Sequence, residues 1–596
     1  MVLVFGGTTE GRKAVEVLEE AGSCYYYSTR GAEQQMDLVH GVLLKGTMDE
    51  AKMVACCREH DIRLLVDAAH PFAETLHRNI LSLAARTGIP LIRYDRIYPP
   101  RSEDLIWCRD YDDAIQQMEA RGVHRLLALT GVNTIGRLSR FWRQHDCWFR
   151  ILNRDTSKEL ARQHLFPEER LVYYEHDDTA ALLVQLQPQA ILTKESGVSG
   201  GFEAKVDAAR AAGVAVFVVQ RPPYPPAEAS VQKVVLTTVN GPHGLRRAVE
   251  RLLPTFYPLH SGLTTGTCAT AAAVAAARRL LRNETPPTVP VLLPDGETID
   301  VPVSYGDGYA SCVKVAGDDP DVTDGLEIRA SVQPSERFEI RGDEGVGTIT
   351  LPGFDFPPGE PAINKTPREM IRQNLSSLIP HPSSFIVTIS VPEGREVARR
   401  TFNPRLGIEG GVSIIGVSGI VKPFSEEAFI DSIRKCMTVA KASGSERVVI
   451  HSGAKSAGVL RQHEPTLPQQ AFVEYGNAIG ETLKIASELA VPHVILGIML
   501  GKAVKLAAGQ LDTHSRRTVM DKAFVQQMLH EARCDADVSH ITLARELWNL
   551  IPRERLQDFA TTIIRHCAEH CEPLLPNGLL TILLIDDEGN IYGKEI

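Results

Sequence analysis

Residues 2–20 read VLVFGGTTEGRKAVEVLEE, and this stretch decides the fold of the first half of the chain. Its four leading apolar residues predict a short buried strand, and residues 10–21 show the spacing of an amphipathic helix. A turn rich in glycine and threonine lies between them, where unpaired N–H groups at a helix start can receive a negative charge. We therefore predict a strand, glycine loop and helix that open a parallel, doubly wound α/β sheet.

The same alternation continues outward from this stretch. A helix near residues 74–87 and the strands CYYYS, RLLVDAAH and PLIRY complete a first α/β subdomain over residues 1–125. A second set of elements predicts another α/β subdomain over residues 126–251, with the strands RLLALTG, QAILTKESG and VAVFVVQRP and a helix at about 203–212.

The glycine loop has the composition of a nucleotide-binding turn. Gly6, Gly7 and Gly11 would let the backbone approach a pyrophosphate, and Thr8 and Thr9 would cap the helix or bind phosphate oxygens. The spacing differs from G-x-G-x-x-G, so a plain strand-to-helix turn is the alternative interpretation.

Two further strand ends carry polar residues. Ser28, Thr29 and Arg30 follow the second strand, where an NAD site usually has an acidic residue, so they favour NADPH, unless Arg30 is an ordinary surface charge. Asp67 and His70 follow a later strand, at the sheet edge where the reactive ring of a cofactor would lie. The alternative for His70 is a histidine that only caps its loop.

Five segments in the first half occur in an order that resembles one enzyme family. They are GGTTEGR, DAAHPFA, LTGVNTI, LTKESGVSGGFEAKVDAAR and VVQRPPYP. Together they are similar to the precorrin-6A reductases of cobalamin biosynthesis, including those of the cobalt-dependent pathway. The resemblance implies that NADPH or NADH reduces one double bond of a corrin precursor bound between the two α/β subdomains.

The resemblance also implies roles for individual residues. Asp67 and His70 would lie near the nicotinamide as the catalytic residues of the reductase. The residues implied to hold the pyrophosphate are Gly6, Gly7, Thr8, Thr9, Gly11 and Arg12. Those implied to face the tetrapyrrole are Lys194, Ser196, Gly197 and Lys205, and lysines and hydroxyls suit its many carboxylates.

A second half of different texture begins after a linker at residues 252–260, which contains two prolines and shows no regular period. Thr264, Thr265, Gly266 and Thr267 precede a long alanine-rich helix and predict a second helix start that accepts an anion, although threonine is also a common N-cap. We predict an α+β part at about 261–380 and an α/β part at about 381–596.

Six long segments of this half resemble the cobalt-precorrin-5B methyltransferases. They are HSGLTTGTCATAAAVAA, VKVAGDDPDVTDG, LPGFDFPPGEPAINKTPREMI, FNPRLGIEGGVSIIGVSGIVKPFSEEAF, EYGNAIG and GKAVKLAAGQLDTHS. The resemblance implies transfer of a methyl group from S-adenosylmethionine to a ring carbon of a cobalt-corrin precursor, with loss of a two-carbon fragment. The two families would then carry out consecutive steps.

Candidate site residues of the second half surround these segments. His514 is a candidate for acid–base chemistry, or a satisfied loop histidine. The glycines predicted to line the S-adenosylmethionine site, or else to mark two bulged strands, are Gly410, Gly411, Gly416 and Gly419. The predicted substrate-binding residues are Asn403, Arg405, Ser425 and Glu426, together with Thr264 to Thr267. No glycine motif of the Rossmann type places the cofactor by spacing.

The composition excludes several classes of function. A net charge of −10 over 596 residues argues against nucleic acid and anionic membranes as partners. No apolar run is long enough to span a membrane, and the eleven unpatterned cysteines suit reduced thiols, so we expect a cytoplasmic enzyme without a metal site of its own. Its oligomeric state is open, with a homo-oligomer as one alternative. The alternatives are a reductase fused to a non-catalytic corrinoid-binding module and an unrelated NADP-dependent reductase with an anion-sensing domain.

Overall fold

The computed structural model describes residues 1–31, 36–174, 178–225, 234–376, 378, 385–514 and 519–593. The chain divides into two compact units, which are Met1–His260 with Leu292–Asp300 and Ser261–Val291 with Val301–Ile596. The division between His260 and Ser261 agrees with the predicted start of the second half.

The first unit contains two parallel sheets of six strands each. Their strands are β1 (Val2–Phe5), β2 (Tyr25–Thr29), β3 (Gly41–Lys45), β4 (Leu64–Asp67), β5 (Leu91–Tyr94), β6 (Ile106–Cys108), β7 (Arg125–Ala128), β8 (Asp146–Leu152), β9 (Leu171–Tyr174), β10 (Ala190–Lys194), β11 (Ala215–Val219) and β12 (Leu236–Val239). The orders are β12-β5-β4-β1-β2-β3 and β6-β11-β10-β7-β8-β9.

The helices of this unit follow the strands in the alternation that the sequence predicts. They are α1 (Thr9–Glu19), α2 (Glu50–Glu59), α3 (Glu74–Thr87), α4 (Tyr111–Ala120), α5 (Ser139–Trp142), α6 (Asp155–Gln163), α7 (Thr179–Leu186), α8 (Phe202–Ala211) and α9 (Pro242–Leu252). Helix α3 has the predicted bounds, and α8 is displaced by one residue from the predicted 203–212.

Each sheet of the first unit includes an edge strand from the other side of the predicted division at residues 125 and 126, so that division differs from the structure. Strand β6 precedes that position but lies at the edge of the second sheet, whereas β12 follows it and pairs with β5 in the first sheet. The predicted linker at residues 252–260 also packs against the first sheet, because Phe256 and Tyr257 are buried in its core. The Tyr257 hydroxyl donates to the Val17 carbonyl at 2.8 Å.

From residue 261 onward the described strands are between two and eight residues long. They are β13 (Gly262–Leu263), β14 (Thr288–Leu292), β15 (Thr298–Pro302), β16 (Ser304–Tyr305), β17 (Ala310–Val313), β18 (Glu327–Pro334), β19 (Glu339–Gly342), β20 (Thr348–Ile349), β21 (Phe385–Ser390), β22 (Ile408–Glu409), β23 (Ile420–Val421), β24 (Arg447–His451), β25 (Phe472–Glu474), β26 (His493–Met499), β27 (Leu579–Ile585) and β28 (Ile591–Tyr592).

The described helices of this region include one long alanine-rich helix near its start. They are α10 (Thr265–Arg282), α11 (Lys365–Ser376), α12 (Gly394–Ala398), α13 (Asn403–Leu406), α14 (Glu426–Ala442), α15 (Ala454–His463), α16 (Ile479–Glu488), α17 (Leu500–Ala507), α18 (Lys522–Glu531), α19 (Leu547–Leu550) and α20 (Leu556–Cys571). Within the described ranges, none of the helices in the chain has the length and apolar character needed to cross a bilayer.

The second unit has the predicted α+β and α/β parts, but the α+β part extends further. Its mixed sheet has the order β16-β17-β18-β21-β19 and therefore includes β21, which lies beyond the predicted boundary near residue 380. The α/β sheet has the order β25-β24-β26-β27-β28, with four parallel strands and an antiparallel edge. Helices cover both faces of its parallel strands, and the larger of the two apolar clusters that they bury surrounds Ile450 and Leu496.

Candidate functional site

The first glycine loop connects β1 to α1. The Thr8 hydroxyl caps α1 by accepting the Gly11 amide at 3.0 Å, and it donates to the Ala68 carbonyl at 2.7 Å. Thr9 lies next to the exposed side chain of Arg12 on the first turn of the helix. The loop is thus fixed to the end of β4 while Arg12 stays accessible to a ligand.

Two of the loop glycines are required by a tyrosine rather than by a ligand. A Cβ atom on Gly6 would overlap the Tyr27 ring, and one on Gly11 would lie 2.6 Å from the Tyr27 hydroxyl. That hydroxyl also accepts the Gly7 amide at 3.0 Å. Gly7 itself has φ +90° and open space where a Cβ atom would be, so this is the point of the loop that a pyrophosphate can approach.

The end of β2 has the three residues that favour a phosphorylated ribose. Ser28 and Thr29 are buried, the Ser28 carbonyl accepts the Gly6 amide, and the Thr29 hydroxyl donates to the Gly31 carbonyl. Arg30 is exposed. Of the three, Arg30 is therefore the side chain most available to a ligand.

Asp67 is the centre of a buried charge network at the end of β4. It is 0% exposed, and its carboxylate lies 2.6 Å from His77 Nδ1 and 3.1 Å from an Arg93 nitrogen. Burial would raise the pKa of Asp67, but Arg93 and the hydrogen bond from His77 outweigh it and lower that pKa. These contacts make Asp67 a positioning residue for the turn that carries His70, since its carboxylate is enclosed by protein groups.

His70 follows a strand of the first sheet and Lys194 ends a strand of the second, and the two side chains lie near each other. Burial, with nearby Arg96 and Lys194, lowers the pKa of His70 to about 3, so the imidazole is neutral at physiological pH. Its Nδ1 accepts the Phe72 amide at 3.2 Å, which leaves the proton on Nε2. Lys194 lies over the Phe72 ring at 5.4 Å, and burial lowers its pKa to about 8.

The other predicted tetrapyrrole residues hold the loop after β10. Ser196 is buried and its hydroxyl donates to the Gly200 carbonyl, which also accepts from Lys205 Nζ at 2.8 Å. Gly197 has φ +69°, and a Cβ atom there would lie 2.8 Å from the Ile97 carbonyl oxygen. These three residues shape the loop, and Lys194 is the member of the predicted set that presents its charge beside His70.

An ion pair joins the two loops. Glu10, on the first turn of α1, accepts from Arg96 Nε at 3.0 Å and contacts the Ser199 hydroxyl. Arg96 also donates to the Ser196 carbonyl at 2.7 Å. The sequence patterns gave no role to Glu10 or Arg96, because these residues are far apart along the chain and belong to no shared motif.

The start of α10 is closed by the chain itself, which corrects the prediction of a second anion site. Thr264 caps the helix by accepting the Thr267 amide at 3.2 Å, and the Gly266 amide donates to the Ile415 carbonyl at 2.9 Å. The Thr265 hydroxyl accepts the Ile415 amide, and the Thr267 hydroxyl donates to the Gly419 carbonyl at 2.6 Å. Thr264 to Thr267 are buried, so the N-cap alternative describes this segment.

The glycines from 410 to 419 likewise allow segments of the chain to pack closely against one another. A Cβ atom on Gly411 would overlap the Gly345 backbone, and one on Gly416 would overlap Thr264. Gly410 and Gly419 have φ +84° and +87° in the segment between β22 and β23. The backbone freedom predicted for a cofactor therefore accommodates neighbouring chain at Gly411 and Gly416.

The polar residues after Phe402 divide into two kinds. Asn403 is buried, and its side chain donates to the Gly411 carbonyl and accepts from the Ser413 hydroxyl. Ser425 caps α14 by accepting the Ala428 amide. Glu426 is exposed on the first turn of that helix. Arg405 differs from these residues, because its guanidinium makes no hydrogen bond or ion pair within the described ranges and lies over the Phe402 ring.

His514 follows Asp512, whose carboxylate accepts the His514 amide at 3.0 Å. This contact fixes the backbone of the segment, and an acid–base role for His514 stays a prediction.

One group of three possible metal ligands lies among the described residues, formed by His243, Asp295 and Glu297 of the first unit. The Glu297 carboxylate already accepts the His243 and Gly244 amides at the start of α9, and burial raises its pKa to about 7. Its oxygens are thus used to cap a helix, and the group supplies no argument for a metal.

A further set of polar groups, absent from the predicted site, lies at the carboxyl ends of β24 and β25. His451 ends β24, and the turn Ser452–Gly453 leads into α15. Glu474 ends β25 beside it. Lys502, on α17, donates to the Gly476 carbonyl and to Asn477 Oδ1, and burial lowers its pKa to about 8. The signal in the sequence is an acidic residue about 20 residues after a glycine turn.

Three family models match the chain. The model described as precorrin-6x reductase CbiJ/CobK matches residues 1–239, the one described as CbiD matches residues 255–423, and the one described as the CbiD C-terminal domain matches residues 512–595. A cobalt-precorrin-5B C(1)-methyltransferase of Prosthecochloris aestuarii is 40% identical over 345 residues, which cover 55% of this chain and 94% of the relative. The chain belongs to the cobalt-precorrin-5B C(1)-methyltransferase family. Its N-terminal part, residues 1–239, is similar to the precorrin-6x reductases CbiJ/CobK.

Other relatives and solved structures are similar to parts of this chain. The cobalt-precorrin-5B C(1)-methyltransferase of Brucella anthropi is 38% identical and covers 56% of this chain and 95% of its own. Among solved structures, the CbiD protein of Archaeoglobus fulgidus is 32% identical with a TM-score of 0.26, covering 44% of this chain and 83% of its own. A CobK precorrin-6A reductase is 21% identical with a TM-score of 0.35, covering 42% and 97%.

Proposed function

We propose that this cobalamin-biosynthesis enzyme catalyses two consecutive steps. Its methyltransferase half converts cobalt-precorrin-5B to cobalt-precorrin-6A with S-adenosylmethionine, and its reductase half converts cobalt-precorrin-6A to cobalt-precorrin-6B with a reduced nicotinamide. The observation that carries this proposal is the presence of both family matches in one chain. Because one half makes the substrate of the other, fusion raises the local concentration of the intermediate.

The first glycine loop fits a dinucleotide. The open space beside Gly7, the accessible Arg12 and the start of α1 supply room, positive charge and a helix N-terminus for a pyrophosphate. When bound, the nicotinamide supplies the hydride for the reduction. Ser28, Thr29 and Arg30 favour NADPH over NADH, which a comparison of kcat/KM for the two cofactors, in the wild type and in Arg30→Ala, would test.

His70 and Lys194 suit different tasks in the reductase. The neutral His70 ring can donate one hydrogen bond from Nε2 to substrate or cofactor, and it keeps this protonation state across the physiological pH range. Lys194 is partly desolvated and still mostly protonated at pH 7, so it can bind a substrate carboxylate through a charge-assisted hydrogen bond. Asp67 acts through the turn and not on the substrate.

The methyltransferase half presents one cation suited to a carboxylate. Arg405 forms no ion pair within the described ranges, so its charge is available to a substrate or cofactor carboxylate.

Anaerobic mass analysis of the tetrapyrrole tests the proposal. With cobalt-precorrin-5B and S-adenosylmethionine, we expect the mass change of one added methyl group. Adding NADPH should then add two hydrogens. If the enzyme reduces supplied cobalt-precorrin-6A but never methylates cobalt-precorrin-5B, the second half is a non-catalytic corrinoid-binding module and the methyltransferase proposal fails.

A further inference from the structure

The carboxyl edge of the last α/β sheet repeats the architecture of the first glycine loop. Strand β24 leads through Ser452 and Gly453 into α15, and the chain returns as β25, parallel to β24 and beside it. This strand, turn, helix and strand form the unit from which dinucleotide and adenosyl sites are commonly built. None of the residues predicted for the S-adenosylmethionine site lies in it.

Polar groups at this edge lack partners in the described part of the chain. His451 is 1% exposed; its ring nitrogens meet no partner at hydrogen-bond distance and angle among the described residues, although the adjacent Gly453 backbone acts to raise the pKa of the ring. Burial, with Arg405 and Arg461, lowers the pKa of His451 to about 4, so it is a buried neutral imidazole. A buried polar group without a partner costs free energy, so its retention points to a ligand that supplies the missing hydrogen bond.

Glu474 faces the same place. His451 and Glu474 are register partners on adjacent parallel strands, so their side chains project from the same face of the sheet. The Glu474 carboxylate makes no hydrogen bond or ion pair with the described residues, and its Oε1 atom lies 3.9 Å from the position of a Cβ atom on Gly453. The carboxylate therefore points toward the turn that begins α15.

Arg405 adds the opposite charge. It lines a narrow cleft with Glu474, Phe402 and Phe472, yet the two charged groups do not pair with each other. The charge of Glu474 acts on Lys502 by raising its pKa, but the carboxylate oxygens form no hydrogen bond with the described residues and suit a ligand that carries hydroxyl donors. A nucleotide with several phosphates fits less well, because Glu474 would repel it.

We propose that Glu474 binds the ribose hydroxyls of S-adenosylmethionine, with the amino-acid end of that cofactor at the turn Ser452–Gly453 and the start of α15. This placement rests on the proposed methyltransferase function and names its cofactor site. Glu474 has the position, about 20 residues after the glycine turn and at the end of the neighbouring strand, at which an acidic residue binds a ribose in related folds.

Calorimetric titration of the full chain with S-adenosylhomocysteine tests the placement without requiring turnover. We expect Glu474→Gln to weaken binding by about tenfold to a hundredfold, the range for a lost hydrogen bond to a charged group. Glu481→Gln is the matched control, since Glu481 is an exposed residue of α16 that pairs only with Lys484 on its own helix. This control should bind like the wild type.

The 2′-deoxy analogue of S-adenosylhomocysteine makes the test specific for the ribose. It should bind the wild type more weakly than the parent compound by a similar factor, and Glu474→Gln should lose little further affinity for it. If the wild type binds S-adenosylhomocysteine and Glu474→Gln binds it equally well, the placement is overturned and the methyltransferase proposal survives. If the wild type binds neither compound, both proposals are overturned.

Discussion

The unit β1–α1–β2 and the unit β24–α15–β25 have the same order of elements but treat their polar groups differently. At the first, Gly7 donates to Tyr27, Glu10 pairs with Arg96, and Asp67 at the end of neighbouring β4 is enclosed by His77 and Arg93. At the second, the His451 ring and the Glu474 carboxylate make no side-chain hydrogen bond with another described side chain, and the ring has only the Gly453 backbone beside it.

This difference separates two uses of polar residues at a sheet edge. Groups that are satisfied by the protein fix the backbone around a site and contribute to folding. Groups that remain unsatisfied cost stability and are available to a ligand. Substitutions at the first edge should therefore mainly change the free energy of unfolding, whereas substitutions at the second should mainly change binding.

The largest expected effect is at Asp67. Asp67→Asn removes the charge that faces the buried Arg93, and we expect it to lower the free energy of unfolding by about 3–5 kcal/mol in urea denaturation at pH 7. The folded-state pKa of Asp67 is lowered, so its contribution is present above its unfolded pKa of about 3.9 and is lost as pH falls through the folded value. The difference between variant and wild type should shrink below about pH 4, and a constant difference would contradict the charge argument.

The two helices that follow the glycine turns give the next contrast. In Gly11→Ala the new Cβ atom would lie 2.6 Å from the Tyr27 hydroxyl, so we expect a loss of about 1–3 kcal/mol. Gly458 lies in α15 with nothing within 4 Å of a Cβ atom, so Gly458→Ala should stabilise by about 0.5–1 kcal/mol through helix propensity. Urea denaturation of both variants measures the two changes in the free energy of unfolding. Equal changes would contradict the predicted difference between the two helices.

The pH dependence of the reductase tests the charge of Lys194. Its pKa is lowered to about 8, so the ammonium is lost as pH rises through that value, and KM for cobalt-precorrin-6A should rise about tenfold at high pH. Lys194→Met should show the high KM at every pH. Because Lys205 also lowers the pKa of Lys194, Lys205→Met should move the inflection to higher pH, and an unmoved inflection would assign it to another group.

The smallest expected effect on stability is at the second edge. Glu474→Gln removes no hydrogen bond or ion pair of the described chain and only a longer-range attraction to Lys502, so the free energy of unfolding should change by less than about 0.5 kcal/mol. Glu10→Gln is the counterpart at the first edge, and it should destabilise by more than 1 kcal/mol because it leaves buried Arg96 without its ion pair. A large loss in Glu474→Gln would show that this carboxylate has a structural role.

Much of the fold was predictable from local patterns, whereas strand membership of the sheets was not. Helix α3 and strands β1, β4 and β5 follow from hydrophobic period and turn residues. Strands β6 and β12 lie in sheets on the other side of the predicted boundary, because pairing with β11 and β5 depends on contacts distant in sequence. The predicted site similarly contains His70 and Lys194 but lacks Glu474, whose turn has a single glycine and no familiar motif.

The sequence by itself determined the order of elements, the two halves and their families, because periodicity and long motifs are properties of neighbouring residues. Only the tertiary structure decided what each polar group and glycine does. Thr264 to Thr267 pack against Gly416 and its neighbours, about 150 residues further along the chain. This packing removes an anion site that local chemistry permits. Hydrogen-bond satisfaction depends on partners brought together by folding, and it distinguishes residues that hold the fold from those left for a ligand.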